Sequence, residues 1–297
     1  MIESGILVMN KPQDFTSFDV IGKLRGILHM RKLGHTGTLD PMATGVLPVL
    51  IGTAARAADI LPDDNKRYTA AFQFGTVTDT QDCTGTVLAQ SDKAVSEAEI
   101  LAVLPQFTGD IMQMPPMYSA VQVNGKRLYE LARAGKEIER AERPVHIESI
   151  TLTGYDEKKR IGSMDIRCGK GTYVRTILHD IGQALGAGCM MTALTRTEAC
   201  GFSLSQAHSF ETVQQAADAG TVESLVIPTD RLFQQYPALR LGEAQARMYG
   251  NGVKLDLARV RQIGKAEIYR VYGADGRFFG LAQADREAGL LRVYKNL

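Results

Sequence analysis

One short stretch holds the residue types best suited to chemistry. Gly34-His35-Thr36-Gly37-Thr38-Leu39-Asp40-Pro41 puts three polar hydrogen-bonding side chains and one carboxylate within eight residues, two of them glycine. Pro41 disfavours helical backbone at Asp40 and fixes the turn that follows. Gly34 and Gly37 let a second backbone, such as an RNA strand, approach closely. A carboxylate with an ordinary pKa of ~3.9 is ionised at neutral pH. Asp40 therefore needs only orientation to act as a nucleophile or a charge stabiliser. Asp-Pro is equally at home in structural turns, and on residue types alone that plainer reading comes first.

Nothing else in the chain competes with this stretch. Cys83, Cys168, Cys189 and Cys200 form no CxxC pair and read as small, mostly buried hydrophobes of a reducing compartment. The other histidines, His29, His146, His179 and His208, are scattered. No P-loop, dinucleotide fingerprint or zinc spacing occurs, so neither metal nor cofactor is expected. No apolar run reaches membrane-spanning length, and no charged leader precedes an apolar core. The expectation is a cytoplasmic protein. The net charge of +1 conceals an asymmetry: residues 238–297 hold 11 Arg and Lys against 6 Asp and Glu. A basic C-terminal face follows, as nucleic-acid binding would need.

The elements that must position Asp40 can be read from periodicity. Gly5–Asn10 is an apolar run stopped at Pro12 and reads as a buried strand. Ser17 is a candidate helix cap, with Val20, Ile21, Leu24, Ile27 and Leu28 at helical spacing behind it. Gly34 to Gly45 has no periodicity and reads as an ordered loop before an apolar strand, Val46–Ile51. Arg67–Phe74 alternates as a strand does, and Ser96-x-x-Glu99 is a capping box opening a helix that Pro105 ends. Around 114–146 the composition changes. Asn124-Gly125 signals a tight turn, and Lys126, Arg127, Arg133, Lys136, Arg140 and Arg143 give the segment the look of a basic projecting arm. Strands resume at Val145–Leu152 and Ser163–Cys168, a helix is expected over Val174–Leu185, and Met190–Thr197 reads as another strand. Thr212–Ala217 is weakly helical. Tyr236-Pro237 is the best linker, and the last ~60 residues show short β-rich segments typical of a small barrel or roll. The architecture predicted is α+β, with a mixed, mainly antiparallel sheet followed by a small all-β C-terminal domain.

Five blocks in order carry a resemblance. GHTGTLDPMATG at Gly34–Gly45 resembles the signature loop of the TruB family of tRNA pseudouridine synthases, supported by Lys11-Pro12, Lys66-Arg67-Tyr68, Gly171-Thr172-Tyr173-Val174-Arg175 and Leu194-Thr195-Arg196-Thr197. The resemblance spans essentially the whole chain. It implies a pseudouridine synthase catalytic domain over 1–237 with an RNA-binding arm at about 114–146, and a PUA-like RNA-binding domain over 238–297.

It also implies roles. Asp40 is the nucleophile. Arg175 holds its carboxylate, Tyr68 stacks on the uracil, and Leu194 closes the other side of the base pocket. His35 helps to remodel the RNA loop, while Lys11, Lys126, Arg127 and Arg133 bind RNA. The implied reaction is isomerisation of uridine 55 in the T loop of tRNA. The expected partner is the tRNA T stem-loop, with no membrane, guide RNA or protein subunit, and the protein a monomer. Thr195 and Cys200-Gly201 depart from the family pattern without touching the catalytic set. An RNA-folding chaperone that needs the binding surfaces but not Asp40 is the alternative. The catalytic subunit of a guide-RNA particle ranks below it.

Overall fold

The computed structural model describes residues 3–62, 65–123 and 125–297. In chain order it begins with β1 (Ser4–Lys11), α1 (Ser17–Leu28), β2 (Leu33–His35), β3 (Thr44–Gly52) and β4 (Lys66–Phe74). There follow the short pair β5 (Thr76–Thr78) and β6 (Val87–Gln90), then α2 (Glu97–Val103), β7 (Gly109–Gln113), β8 (Gln122–Val123), β9 (Lys126–Arg127) and α3 (Leu128–Arg133). Next come β10 (Arg143–Asp156), β11 (Ile161–Cys168), α4 (Val174–Ala184), β12 (Cys189–Ala199), β13 (Phe202–Ser203) and α5 (Phe210–Asp218). The last stretch holds β14 (Ala238–Arg240), α6 (Glu243–Gly250), β15 (Leu255–Asp256), β16 (Ile268–Tyr272), β17 (Phe278–Asp285) and β18 (Leu290–Asn296). The turn expected at Asn124-Gly125 falls partly outside the described residues, since Asn124 is not among them.

Two compact units form: Met1–Pro41, Val46–Asp63 and Cys200–Leu297 in one, Met42–Gly45 and Asp64–Ala199 in the other. In the first, the continuous apolar runs of β1 and β3 become neighbouring strands buried along most of their length. The amphipathic face of α1 packs Val20, Ile21 and Leu24 onto Leu7, Met9, Leu47 and Val49, with Val213 of α5 completing the cluster. The cap of α1 lies one residue earlier than expected. Thr16, not Ser17, is the N-cap, and its hydroxyl accepts from the Asp19 N–H at 3.0 Å while Asp19 answers at the Thr16 N–H. The hydrogen bonds from Thr16 hold the Asp19 carboxyl below its ordinary pKa. Ser17 is instead a buried first-turn residue. Gly22 and Gly26 lie in the middle of this helix, each at a cost of about 1 kcal/mol relative to alanine.

Residues 238–297 carry their own sheet, in the order β14-β16-β17-β18-β15, over a core of Leu239, Tyr249, Tyr269, Val271, Ala282 and Leu291. The segment read as all-β also contains α6. Only Ala246 and Tyr249 of that helix are buried, too few to set up a readable period. Tyr236-Pro237 is ordered, its two carbonyls accepting from the Arg270 side chain and backbone N–H, each at 2.9 Å.

The second unit is built on an antiparallel run, β12-β4-β11-β10-β7. At its edge Thr44 and Gly45 pair in parallel with Thr195 and Arg196, which makes the sheet mixed. Period-2 alternation sends Tyr68, Ala70, Phe72 and Phe74 of β4 to the buried face. On the opposite face Arg67 bonds Asp165 at 2.9 Å and Glu198 at 3.2 Å, and Arg167 bonds Glu198 at 3.3 Å. The capping box expected at Ser96 and Glu99 is present. Gly45 is required here: its φ is +103°, and a Cβ would run into the main chain of Arg196.

Candidate active site

Asp40 lies half-buried in a loop fixed through its two neighbours. The Ser17 hydroxyl accepts from the Leu39 N–H at 2.8 Å and donates to the Leu39 carbonyl at 3.3 Å. On the other side the Pro41 carbonyl accepts from Lys11 Nζ at 3.1 Å and from the Asp14 N–H at 2.9 Å. Backbone on both flanks of Asp40 is thus anchored to β1, α1 and the turn between them, which pre-orients the carboxylate before any substrate arrives.

Lys11 requires a correction. Expected on an RNA-binding surface, it is wholly buried, and its ammonium also donates to the carbonyls of Pro12 at 3.0 Å and Phe15 at 2.5 Å. A buried ammonium must be met by polar partners, and here it gathers carbonyls beneath the Asp40 loop. His35 is half-buried in β2, paired opposite Val49.

Tyr68, Arg175 and Leu194 belong to the second unit. Tyr68 pairs across β12 with Arg196, while Leu194 pairs with Ala70, two residues on. Tyr68 and Leu194 are therefore diagonal neighbours on one buried sheet face, within ~7–8 Å. Both are nearly closed to solvent. An aromatic and a branched aliphatic at that spacing can form an apolar wall for a planar base.

Arg175 stands in the first turn of α4, which packs on β12 and β4. The N-terminus of that helix is pinned by Gln113, whose amide donates to the Tyr173 carbonyl at 3.1 Å and accepts the Tyr173 N–H at 2.8 Å. The buried guanidinium donates to the Thr80 carbonyl at 3.2 Å and the Tyr118 carbonyl at 2.6 Å, and lies 3.8 Å from the buried carboxylate of Asp82. Asp82 is held in turn by the Thr80 hydroxyl at 2.8 Å and the Thr84 N–H at 3.0 Å. Neither Asp82 nor Tyr118 stands out in the sequence, because each meets Arg175 only through tertiary structure. Burial, and then the Asp79 carboxylate that accepts its hydroxyl at 3.3 Å, pushes the Tyr118 phenol above its ordinary pKa. Further along α4, burial with repulsion from Glu142 raises Asp180 to about 6.

In the arm, Lys126, Arg127 and Arg133 are exposed. Arg127 donates to the Tyr129 hydroxyl at 3.1 Å, and the guanidinium of Arg133 lies 5.5 Å from the same ring. Among the described residues no helix is long and apolar enough to cross a membrane.

The profile described as TruB family pseudouridylate synthase (N terminal domain) matches residues 25–174, which contain the Asp40 loop and Tyr68. The chain belongs to the TruB family. A second profile, tRNA pseudouridylate synthase B C-terminal domain, matches residues 175–234. Relatives named tRNA pseudouridine synthase B include one from Thiobacillus denitrificans, 43% identical over 97% of this chain and 93% of its own. Another, from Lactobacillus johnsonii, is 41% identical over 93% of this chain and 96% of its own. Among solved structures, a Cbf5-Nop10-Gar1 complex matches 95% of this chain and 78% of that chain with a TM-score of 0.72 at 23% identity. The archaeal box H/ACA sRNP Nop10-Cbf5 complex matches 99% and 86% with a TM-score of 0.73 at 22% identity. At those identities the likeness is one of fold. The TruB-family chain is an RNA pseudouridine synthase, and its mixed, mainly antiparallel sheet is the fold expected from its sequence.

Proposed function

We propose that this TruB-family enzyme isomerises uridine 55 in the T loop of tRNA, with Asp40 as the nucleophile. The observation that carries the reading is the double clamp on Leu39 and Pro41, which fixes the one carboxylate of the family's signature loop. Isomerisation breaks the N1–C1′ bond of the nucleotide, turns the uracil and joins C5 to C1′. The proton on C5 is lost to solvent and one from solvent takes its place on N1, so atoms and electrons balance without an outside oxidant or reductant. Asp40 can add to C6 of the uracil or act at C1′ as the base departs. Either role requires an ionised carboxylate. Arg175 is assigned the charge that keeps it so, as the family pattern implies, and its own guanidinium is held in a buried nest.

The target base is stacked inside folded RNA and must be flipped out, at a cost of a few kcal/mol. Tyr68 then offers it a face and Leu194 closes the other side. His35 works on the RNA loop the base leaves. Lys126, Arg127 and Arg133 of the arm, with the basic, PUA-like C-terminal residues 238–297, offset the flipping cost through phosphate contacts. Lys11 acts from below by setting the loop. The enzyme works alone, as a monomer, on the T stem-loop.

Tritium release from C5-labelled uridine in a tRNA transcript tests this with purified protein. Release by the protein alone, abolished when position 55 is cytidine, is the expected result. Release that depends on added RNA or protein, or that persists without uridine 55, contradicts it.

A further inference from the structure

Between Val20 and Leu39 the chain carries Lys23, Arg25, Arg31 and Lys32 and not one Asp or Glu. All four are exposed, and among the described residues none has a carboxylate partner. The sheet arginines Arg67 and Arg167, by contrast, are both paired with carboxylates. Lys23 is accounted for within the fold, its ammonium 4.3 Å from the ring centre of Phe210 and 5.6 Å from that of Phe15. Arg25 faces elsewhere. Its guanidinium lies 5.7 Å from the ring of Phe18, which at 68% is the most exposed large apolar side chain among the described residues.

At about 100° per residue, Phe18, Gly22 and Arg25 share one face of α1, with Gly26 beside them and Lys23 on the flank. A Cβ added at Gly22 or Gly26 would meet nothing within 4 Å. Packing inside the protein therefore explains neither glycine. The position of the face is also fixed, because it starts one residue from Ser17, whose hydroxyl holds Leu39 beside Asp40.

We propose that this face of α1, with the exposed turn that follows it, is a track for the phosphate backbone of the substrate RNA, Arg25 on the helix and Arg31 and Lys32 in the turn contacting phosphates and Phe18 marking the end nearest Asp40. Charge selects the occupant: Arg25, Arg31 and Lys32 face a single acid on α1, Asp19, whose carboxylate is already bonded to Thr16, and a surface with that excess of positive charge attracts a polyanion. The two glycines thin the helix where that backbone passes. The inference rests on the reading of the protein as an RNA isomerase and adds residues beyond those of the arm and the C-terminal sheet.

The test is binding of unmodified tRNA transcript to the full chain over a salt series, with tritium release measured in parallel. Arg25→Glu/Arg31→Glu is expected to bind about 25-fold more weakly at 0.1 M salt, as two lost contacts at a slope of about 0.7 each imply. Its slope of log affinity against log salt should fall by between one and two. Gly22→Ala/Gly26→Ala is expected to raise the melting temperature yet bind several-fold more weakly, a pairing that a merely structural role does not produce. Wild-type affinity in either variant overturns the track and leaves the enzymatic reading intact. Weakened binding in both, with no tritium release from the wild type, keeps the track as an RNA surface and overturns the enzymatic reading.

Discussion

The Asp40 loop and the nest around Arg175 are each anchored by hydrogen bonds, but at different points. In the loop the clamps fall on the neighbours: a hydroxyl takes both polar groups of the Leu39 backbone, and an ammonium and an N–H take the Pro41 carbonyl. In the nest the clamps fall on the charged group itself, with two carbonyls and a carboxylate meeting the guanidinium. The difference suits the proposed roles. Anchoring the backbone on either side orients a nucleophile through the loop that carries it. A group that only supplies charge can be fixed at its tip.

That comparison can be broken first at Arg175. Arg175→Met should lower single-turnover isomerisation by about 10³-fold, since it removes a preorganised charge from a dry site. It should also cost about 3–5 kcal/mol in denaturant unfolding by stranding the buried Asp82. Asp82→Asn keeps both carbonyl contacts and the charge, so a loss of about 10–100-fold in turnover is expected with tRNA affinity unchanged. Equal losses in the two variants would mean that Asp82, not the guanidinium, is the critical member of the nest.

The loop is the place for a smaller effect. Ser17→Ala removes one hydroxyl and leaves the Leu39 N–H and carbonyl buried without it, at a cost of about 1–3 kcal/mol. Turnover should fall about tenfold at saturating tRNA with KM little changed, because the defect lies in orientation. A KM defect alone would place Ser17 in RNA binding.

The smallest effect concerns pH. Asp180, raised to about 6 in the folded protein, binds its proton more tightly there than in the unfolded chain. Its contribution is therefore present at low pH and is lost as pH rises from the unfolded value toward 6. Asp180→Asn should raise the melting temperature by a few degrees at pH 7.5 and hardly at all at pH 4. An equal gain at both pH values would place its cause in packing.

How much of this was legible depends on range. The capping box at Ser96 and Glu99 closes within three residues and reads directly from spacing. The β4 alternation reads as directly, because one face is buried from Tyr68 to Phe74. Asp40, Tyr68, Arg175 and Leu194 stand out in the sequence only as members of a family pattern, since each alone is an ordinary turn, strand or helix residue. Asp82 and Tyr118 were not visible, as they stand 93 and 57 residues from Arg175 and join it through folding. The burial of Lys11 is not legible, because a lysine before proline gives no sign that three carbonyls will converge on it.

Asp40→Asn offers the most direct measurement, made as single-turnover tritium release beside tRNA binding. The substitution keeps the side chain's size and the clamps on Leu39 and Pro41 while removing the charge. Release should fall by at least about 10⁴-fold, as expected for loss of a nucleophile, with tRNA affinity within a few-fold of the parent. Release within tenfold of the parent by a correctly folded, tRNA-binding Asp40→Asn protein would contradict Asp40 as the nucleophile.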